Sequence, residues 1–180
     1  MSVLHLWLPI LLSGIAVFFL SFLSWMIVQL HKHDWTRLPN EAEFLAAQLI
    51  RDLPPGNYMF PMPIQPGKMD DEFQRTFAAG PWGSLQLYHT KPNMGANLGQ
   101  TFVFFLVLSF CLGYLATLAL PAGAAWFPVF RFVTTAAIIA YAAAIIPHAV
   151  WFRIRIVGHL LESLAFAAAT GAIFASLWPK

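Results

Sequence analysis

Four long apolar stretches constrain this chain more than any other feature of its sequence. They run approximately over residues 6–30, 98–120, 129–151 and 156–178. Each is long enough to cross a hydrocarbon core about 30 Å thick, which takes about 20 helical residues at 1.5 Å rise per residue. The sequence therefore predicts four transmembrane helices.

The composition agrees with a membrane protein. Hydrophobic residues make up 59% of the chain and charged residues only 10%, against roughly a quarter charged in soluble globular domains. The 180 residues leave too little length outside the four stretches for a separate soluble domain of about 100 residues. We expect an all-α integral membrane four-helix bundle that forms one unit over residues 1–180. A small cytoplasmic cap of short helices and a Pro-rich loop would occupy residues 31–97, between helices one and two.

Several classes of function are excluded or unsupported. Cys111 is the single cysteine and lies within an apolar run, so a disulfide framework or a cysteine-ligated metal site is not available. The net charge of +2 is small and scattered, which excludes nucleic-acid binding. No G-x-S-x-G or H-E-x-x-H motif is present, and a haem would require His148 and His159 to face each other across the bundle. We predict no catalytic residue, no metal ligand and no cofactor.

Basic residues indicate the orientation in the membrane. Eight of the ten lie either in the segment 31–97 or between helices three and four. They are Lys32, Arg37, Arg51, Lys68, Arg75, Lys91, Arg153 and Arg155. The positive-inside rule then places residues 31–97 in the cytoplasm and both chain ends outside.

Small residues at four-residue spacing predict how the helices pack, because lipid provides no hydrophobic force between helices and close approach needs small side chains. Helices two, three and four each carry such a stripe. The stripes are Ser109, Gly113 and Thr117; Ala136, Ala140 and Ala144; and Ala167, Gly171 and Ala175. Helix one is rich in Phe and Leu and is expected to lie at the periphery.

The segment 31–97 shows weaker patterns. Asn40 as an N-cap and Pro54 as a stop predict one short amphipathic helix between them. A second short helix is expected at about Asp70 to Ala78, and "SLQLYHT" alternates as a short strand does.

The strip "GNYMFPMP", residues 56–63, is oily and is stiffened by Pro61 and Pro63. Its apolar side chains either pack on the two short helices or bind another protein, for which methionine-rich surfaces are suited. The candidate partner contacts are Tyr58, Met59, Phe60 and Met62.

Polar groups also gather at one depth, near the cytoplasmic ends of the helices. The candidate cluster is His148, Arg155, His159 and Glu162, with His31 and His33 at the end of helix one. Arg155, His159 and Glu162 share one helix face, and an ionisable group within a span suggests function. The alternative is a local ion pair of Glu162 with Arg155 or His159 that anchors the helix near the interface.

A resemblance accompanies these patterns. The order of "LWLPILLS", "HKHDWTRLPNE", "PPGNYMFP", "GPWG" and a C-terminal "WP" followed by a basic residue resembles a widespread family of small bacterial inner-membrane proteins. The resemblance covers nearly the whole chain. It implies four spans and a bacterial inner-membrane location, and it brings no assigned activity and no catalytic residues.

The sequence thus favours a multi-pass membrane protein that serves as a non-enzymatic accessory or scaffold subunit. Its expected partners are the lipid bilayer and a larger membrane protein complex or further copies of itself. The alternative is a small membrane enzyme or transporter-like protein that uses the His/Glu/Arg cluster.

Overall fold

A computed structural model describes residues 2–64, 67 and 69–180; Lys68, one of the basic residues counted above, lies outside them. The chain divides into two compact units. The first comprises residues 1–36 and 94–180, and the second comprises residues 37–93.

Helices dominate the described residues, with one pair of short strands. In chain order they are a 3₁₀ turn Val3–Leu6, α1 Trp7–Phe22, a π-helical segment Leu23–Val28, α2 Glu41–Ala46, α3 Gln48–Arg51, β1 Gly56–Phe60, α4 Asp71–Ala79, β2 Gly83–Leu87, α5 Met94–Ala119, α6 Trp126–Ala142, α7 Ile145–Phe152 and α8 Val157–Ser176.

Four helical stretches in the described part of the chain have the length and apolar composition needed to cross a membrane. They are Val3–Val28, Met94–Ala119, Trp126–Phe152 and Val157–Ser176. Their ends lie within four residues of the bounds predicted from the sequence. The prediction of an all-α four-helix membrane bundle is confirmed.

The third of these stretches is interrupted between α6 and α7. Pro147 has no amide hydrogen, and its ring would clash with the carbonyl of Ala143 in a regular helix. The chain accordingly forms a turn at residues 143–144 before α7 begins at Ile145.

The fourth span, α8, is the central helix of the first unit and packs against both α6 and α1. Its predicted stripe of Ala167, Gly171 and Ala175 is buried, as expected for close helix approach. On α5 the predicted Ser109 and Gly113 are also buried, whereas Thr117 is half-buried.

The predicted stripe of the third span is wrong. Ala136 is half-buried, and Ala140 and Ala144 are exposed; the buried face of α6 is Val129, Val133 and Ala137. The close approach is provided from the other side, by Gly171 of α8. Because α8 supplies a glycine at this contact, the buried face of α6 contains two valines as well as Ala137.

The predicted peripheral position of helix one is also wrong. α1 packs against α5 and α8 and buries Pro9, Ser13, Gly14 and Val17. A Cβ added at Gly14 would lie 3.2 Å from the Leu106 Cα, so the two backbones are close. Phenylalanines elsewhere on α1 conceal this narrow small-residue face in the sequence.

In the second unit, the single helix predicted between Asn40 and Pro54 is wrong. It is divided into α2 and α3 by Ala47, whose ψ of 126° is extended. Asn40 holds the N-cap position of α2, but its side chain makes no capping hydrogen bond. We find no feature of the sequence that explains the break at Ala47.

The remaining elements of the second unit follow the sequence more closely. α4 matches the predicted helix, and the Asp70 carboxylate accepts a hydrogen bond of 2.8 Å from the Phe73 amide. The predicted strand is present as β2. It pairs antiparallel with β1, so that Tyr58 lies opposite Leu85, and the oily strip therefore begins as a strand.

We predict that Gly171→Ala destabilises the bundle, because the added methyl group would collide with Thr134 Oγ1 and lie 3.1 Å from the Phe130 carbonyl oxygen. Overpacking of this kind costs roughly 1–3 kcal/mol. Gly99→Ala is the matched control, since a Cβ there meets nothing within 4 Å and alanine favours the helix. Thermal unfolding of the protein in detergent, followed by circular dichroism, measures both; equal effects would contradict the close approach.

Candidate functional site

The chain that follows the first span turns back toward the bundle. Gln29 ends the π-helical segment in the left-handed conformation, with φ of 55°, and the Leu30 amide donates to the Ser24 carbonyl at 3.1 Å. The Asp34 amide then donates to the His31 carbonyl at 3.0 Å. This compact turn holds His31 and Asp34 on the same side of the chain.

His31 lies between two carboxylates. Its Nδ1 is 2.7 Å from Oδ2 of Asp34, and its Nε2 is 3.1 Å from Oε2 of Glu162 on α8. The His31 and Glu162 side chains are only 2% and 8% exposed. Because the Asp34 carboxylate can only accept a hydrogen bond, we assign a proton to Nδ1 of His31.

The contact between His31 and Glu162 is close but poorly aligned. Although 3.1 Å separates Nε2 from Oε2, Nε2 makes no hydrogen bond of acceptable geometry with any described residue, and neither does Oε1 of Glu162. The misalignment makes the contact weak despite the short distance, because hydrogen bonds weaken steeply when they bend. Buried polar atoms without partners are costly. Among the described residues the other such atoms are hydroxyl oxygens, whereas His31 and Glu162 contribute a ring nitrogen and a carboxylate oxygen.

Two aromatic rings enclose His31. The Trp25 indole stacks on its imidazole with centroids 4.0 Å apart and an interplanar angle of 15°, and the His159 ring lies 4.4 Å away. His159 Nδ1 is 3.9 Å from Oε2 of Glu162. We call His31, Asp34, His159 and Glu162 the histidine–carboxylate cluster.

A glycine of α8 makes room for this arrangement. A Cβ at Gly158 would lie 3.0 Å from Cε1 and 3.1 Å from Nδ1 of His31, and 3.2 Å from the Leu30 carbonyl oxygen. The imidazole therefore rests directly against the backbone of the fourth span.

The structure brings together only part of the set predicted from the sequence. His159 and Glu162 belong to the cluster. Among the described ion pairs, Glu162 is paired with the two histidines and not with Arg155, which instead donates to the His33 carbonyl at 2.9 Å. His148 is exposed and lies against the Phe152 ring, with centroids 4.5 Å apart.

Sequence reasoning named His31 only as a neighbour and did not propose a role for Asp34. Their i, i+3 spacing was the available signal, but the turn that brings them together depends on the left-handed Gln29. The side chains of His31, His159 and Glu162 are the described residues that could hold a metal ion, since each offers a ligand atom and all three atoms lie within 4.8 Å of one another.

No protein-family model matches the chain, and no curated protein and no solved structure matches it.

The candidate partner contacts belong to the second unit. Met59, Phe60 and Met62 are 54%, 45% and 66% exposed. Tyr58 is half-buried, and its hydroxyl donates to the Pro54 carbonyl at 2.6 Å. Tyr58 therefore helps to hold the strand, whereas the other three present apolar surface.

We predict that Gly158→Ala and His31→Ala are coupled in a double-mutant cycle. The methyl group added at position 158 should collide with the His31 ring and lower the free energy of unfolding of the wild-type background by roughly 1–3 kcal/mol. In the His31→Ala background, where that ring is absent, the same methyl group should lower it clearly less. Unfolding of the four proteins in detergent gives the coupling, expected at about 0.5 kcal/mol or more. Additive effects would show that the ring does not rest on Gly158.

Proposed function

We propose that this multi-pass membrane protein is a non-enzymatic accessory or scaffold subunit whose second unit, residues 37–93, docks on another membrane protein. One observation carries the proposal. None of the described residues in this unit is buried, while several of its large apolar side chains are more than half exposed. They are Leu45, Leu49, Met59, Met62, Ile64, Met69, Phe77, Trp82 and Tyr88.

A unit of this size without a core does not provide for its own stability. Small domains need a well-buried apolar interior to offset the entropy of ordering the chain. Contiguous exposed apolar surface is typical of sites that another surface covers. We therefore expect a partner to cover the exposed apolar side chains of the second unit and to stabilise it.

The charge of the unit favours a protein over the lipid surface as that partner. Residues 37–93 contain five basic and six acidic residues. Helices that lie on anionic membranes carry an excess of Lys and Arg on their polar face, and no such excess is present. Exposed methionines, which adapt to irregular surfaces, suit a protein contact.

The two-stranded sheet offers a specific place for the contact. Met59 projects from β1 on the face that also carries Asn57, and both strands lack a third neighbour in the described sheet. Unpaired strand edges bind extended segments of other proteins through their backbone groups.

A second candidate function is favoured by the buried carboxylate of Glu162. Ionisable groups inside membrane spans commonly mark reaction or transport paths, so a small membrane enzyme or transporter-like protein would use the histidine–carboxylate cluster. The two candidates predict opposite responses to substitution, because the cluster and the apolar strip belong to different units.

We predict that the double variant Met59→Thr and Met62→Thr loses a stoichiometric membrane partner in mild-detergent affinity purification. Both side chains are more than half exposed, and threonine suits strand and loop positions, so folding should be kept. We expect partner recovery to fall about tenfold or more, equivalent to about 1.4 kcal/mol. Quantitative mass spectrometry of the purified complexes measures the loss.

Asn57→Thr is the matched control on the same strand and face, and it should retain the partner. Glu162→Gln should retain it as well if the protein is an accessory subunit. Recovery of the wild-type protein alone, or as a homo-oligomer only, would refute a hetero-complex. Loss of cellular function with Glu162→Gln, together with unchanged partner recovery in the Met59 and Met62 variant, would support the second candidate.

We further propose a bacterial inner-membrane location, with both chain ends in the periplasm and residues 31–97 in the cytoplasm. The distribution of Lys and Arg supports this orientation, and the resemblance carried by "HKHDWTRLPNE" and "PPGNYMFP" supports membership of the small four-span bacterial family.

We predict that alkaline phosphatase fused after Lys180 is active, because this enzyme needs the oxidising periplasm to form its disulfides. The same fusion placed after Asn93 should be inactive. Enzyme activity of whole cells, normalised to fusion abundance, checks both. The opposite pair of results would invert the orientation.

A further inference from the structure

The histidine–carboxylate cluster has the dimensions of a metal site. A four-coordinate zinc ion holds nitrogen and oxygen ligands at about 2.0–2.2 Å, which places ligand atoms about 3.3 Å apart. The His31 Nε2 and Glu162 Oε2 atoms are 3.1 Å apart, and His159 Nδ1 lies 3.9 Å from the same oxygen. All three ligand atoms lie within 4.8 Å of one another.

We propose that His31 Nε2, His159 Nδ1 and the Glu162 carboxylate bind one divalent transition-metal ion of the zinc class. The His31 and Glu162 atoms already have tetrahedral spacing, so His159 is the ligand that has to move closer. Its side chain is 31% exposed, so the ring has room to turn, and the exposed side offers the ion a way in. The three ligands leave one coordination position for water or a substrate.

The hydrogen bond from His31 to Asp34 leaves the other ring nitrogen of His31, Nε2, free to bind a metal ion. Donation from Nδ1 to the Asp34 carboxylate fixes the tautomer that leaves a lone pair on Nε2. Histidines that bind metals commonly donate their other ring nitrogen to a carboxylate in this way. Asp34 is therefore a positioning residue and not a ligand.

Electrostatics also favours a cation at this position. With neutral histidines, Asp34 and Glu162 bring two negative charges into a region where their side chains are 13% and 8% exposed. Buried charges of one sign require compensation. A neutral His31 also turns its Nε2 lone pair toward the carboxylate of Glu162, which is repulsive unless a cation lies between them.

A protonated His31 is the competing explanation, since an imidazolium would pair with both carboxylates at once. That arrangement requires a well-directed hydrogen bond from Nε2 to Glu162, and Nε2 instead has no aligned partner among the described residues. A metal ion would take Nε2 as a ligand together with Oε2 of Glu162, 3.1 Å away. The misalignment therefore favours the ion over the proton.

The types of ligand atom limit which metal ions this site can bind. Two imidazole nitrogens and one carboxylate suit Zn²⁺, Fe²⁺, Co²⁺, Ni²⁺ or Cu²⁺, whereas Ca²⁺ and Mg²⁺ prefer oxygen ligands only. The spacing of His159 and Glu162 on α8 indicates only two of the three ligands in the sequence, because His31 precedes the second span. The proposal is independent of the docking function of residues 37–93, since it involves the first unit alone.

The test is Co²⁺ binding to the full-length protein, purified in mild detergent and stripped with a chelator. Cobalt reports tetrahedral coordination by its visible absorption bands, and competition with Zn²⁺ gives the zinc affinity. We expect saturation at one ion per chain. His159→Gln and Glu162→Gln should each weaken binding about 100-fold, and Asp34→Asn should weaken it roughly 10- to 100-fold.

His148→Gln is the matched control, a histidine near the same end of the bundle but outside the cluster, and it should bind as the wild type does. Circular dichroism and gel filtration check folding. If the Glu162→Gln variant does not fold, metal binding can still be measured on His159→Gln, because the half-exposed His159 side chain can be replaced without loss of folding. Zinc should also raise the unfolding temperature of the wild-type protein but not of His159→Gln.

Two results would overturn the proposal. One is the absence of saturable, one-equivalent cobalt binding by the wild-type protein. The other is equal affinity of His159→Gln and His148→Gln. Either result would show that the cluster is a polar contact between the turn of residues 29–34 and α8 and does not bind a metal ion.

Discussion

The close approach of backbones along α8 is the contact on which the rest of the first unit depends. Lipid gives helices no hydrophobic reason to associate, so packing must come from dispersion between surfaces that fit closely. Gly171 allows α6 to approach, where a methyl group would collide with Thr134. Gly158, further toward the start of α8, allows the His31 ring to lie against the helix. One helix thus organises both the core and the cluster.

The same geometry explains why the cluster can exist within an apolar bundle. A carboxylate at Glu162 would be costly if it faced lipid. Because Gly158 admits the turn of residues 29–34, His31 covers this carboxylate and Trp25 covers His31. Burial without full hydrogen bonding leaves the polar atoms of His31 and Glu162 available. The packing contact therefore creates the conditions for an ion to bind.

The sequence predicts correctly those features that one physical requirement determines. It fails for features that depend on which residues of other helices or turns pack against them. Span length follows from bilayer thickness, so all four helices were found. The stripe of Ala167, Gly171 and Ala175 was recognised on α8. The contact face of α6 was misplaced by one residue, since α8 supplies the glycine and the buried face of α6 contains valines as well as Ala137. The cluster was found in part, because i, i+3 spacing identifies His159 with Glu162. His31 required the left-handed Gln29, which no composition rule predicts.

The exposed apolar surface and the histidine–carboxylate cluster belong to different units of the chain and differ in their physics. Residues 37–93 expose apolar surface and bury no described side chain. A partner protein would stabilise them by covering that surface. The cluster buries carboxylate charge without aligned hydrogen-bond partners. One bound cation would compensate that charge. A membrane protein that is completed in both ways would be unstable as an isolated, metal-free chain. Its stability would then report assembly and metal loading as separate, additive increments.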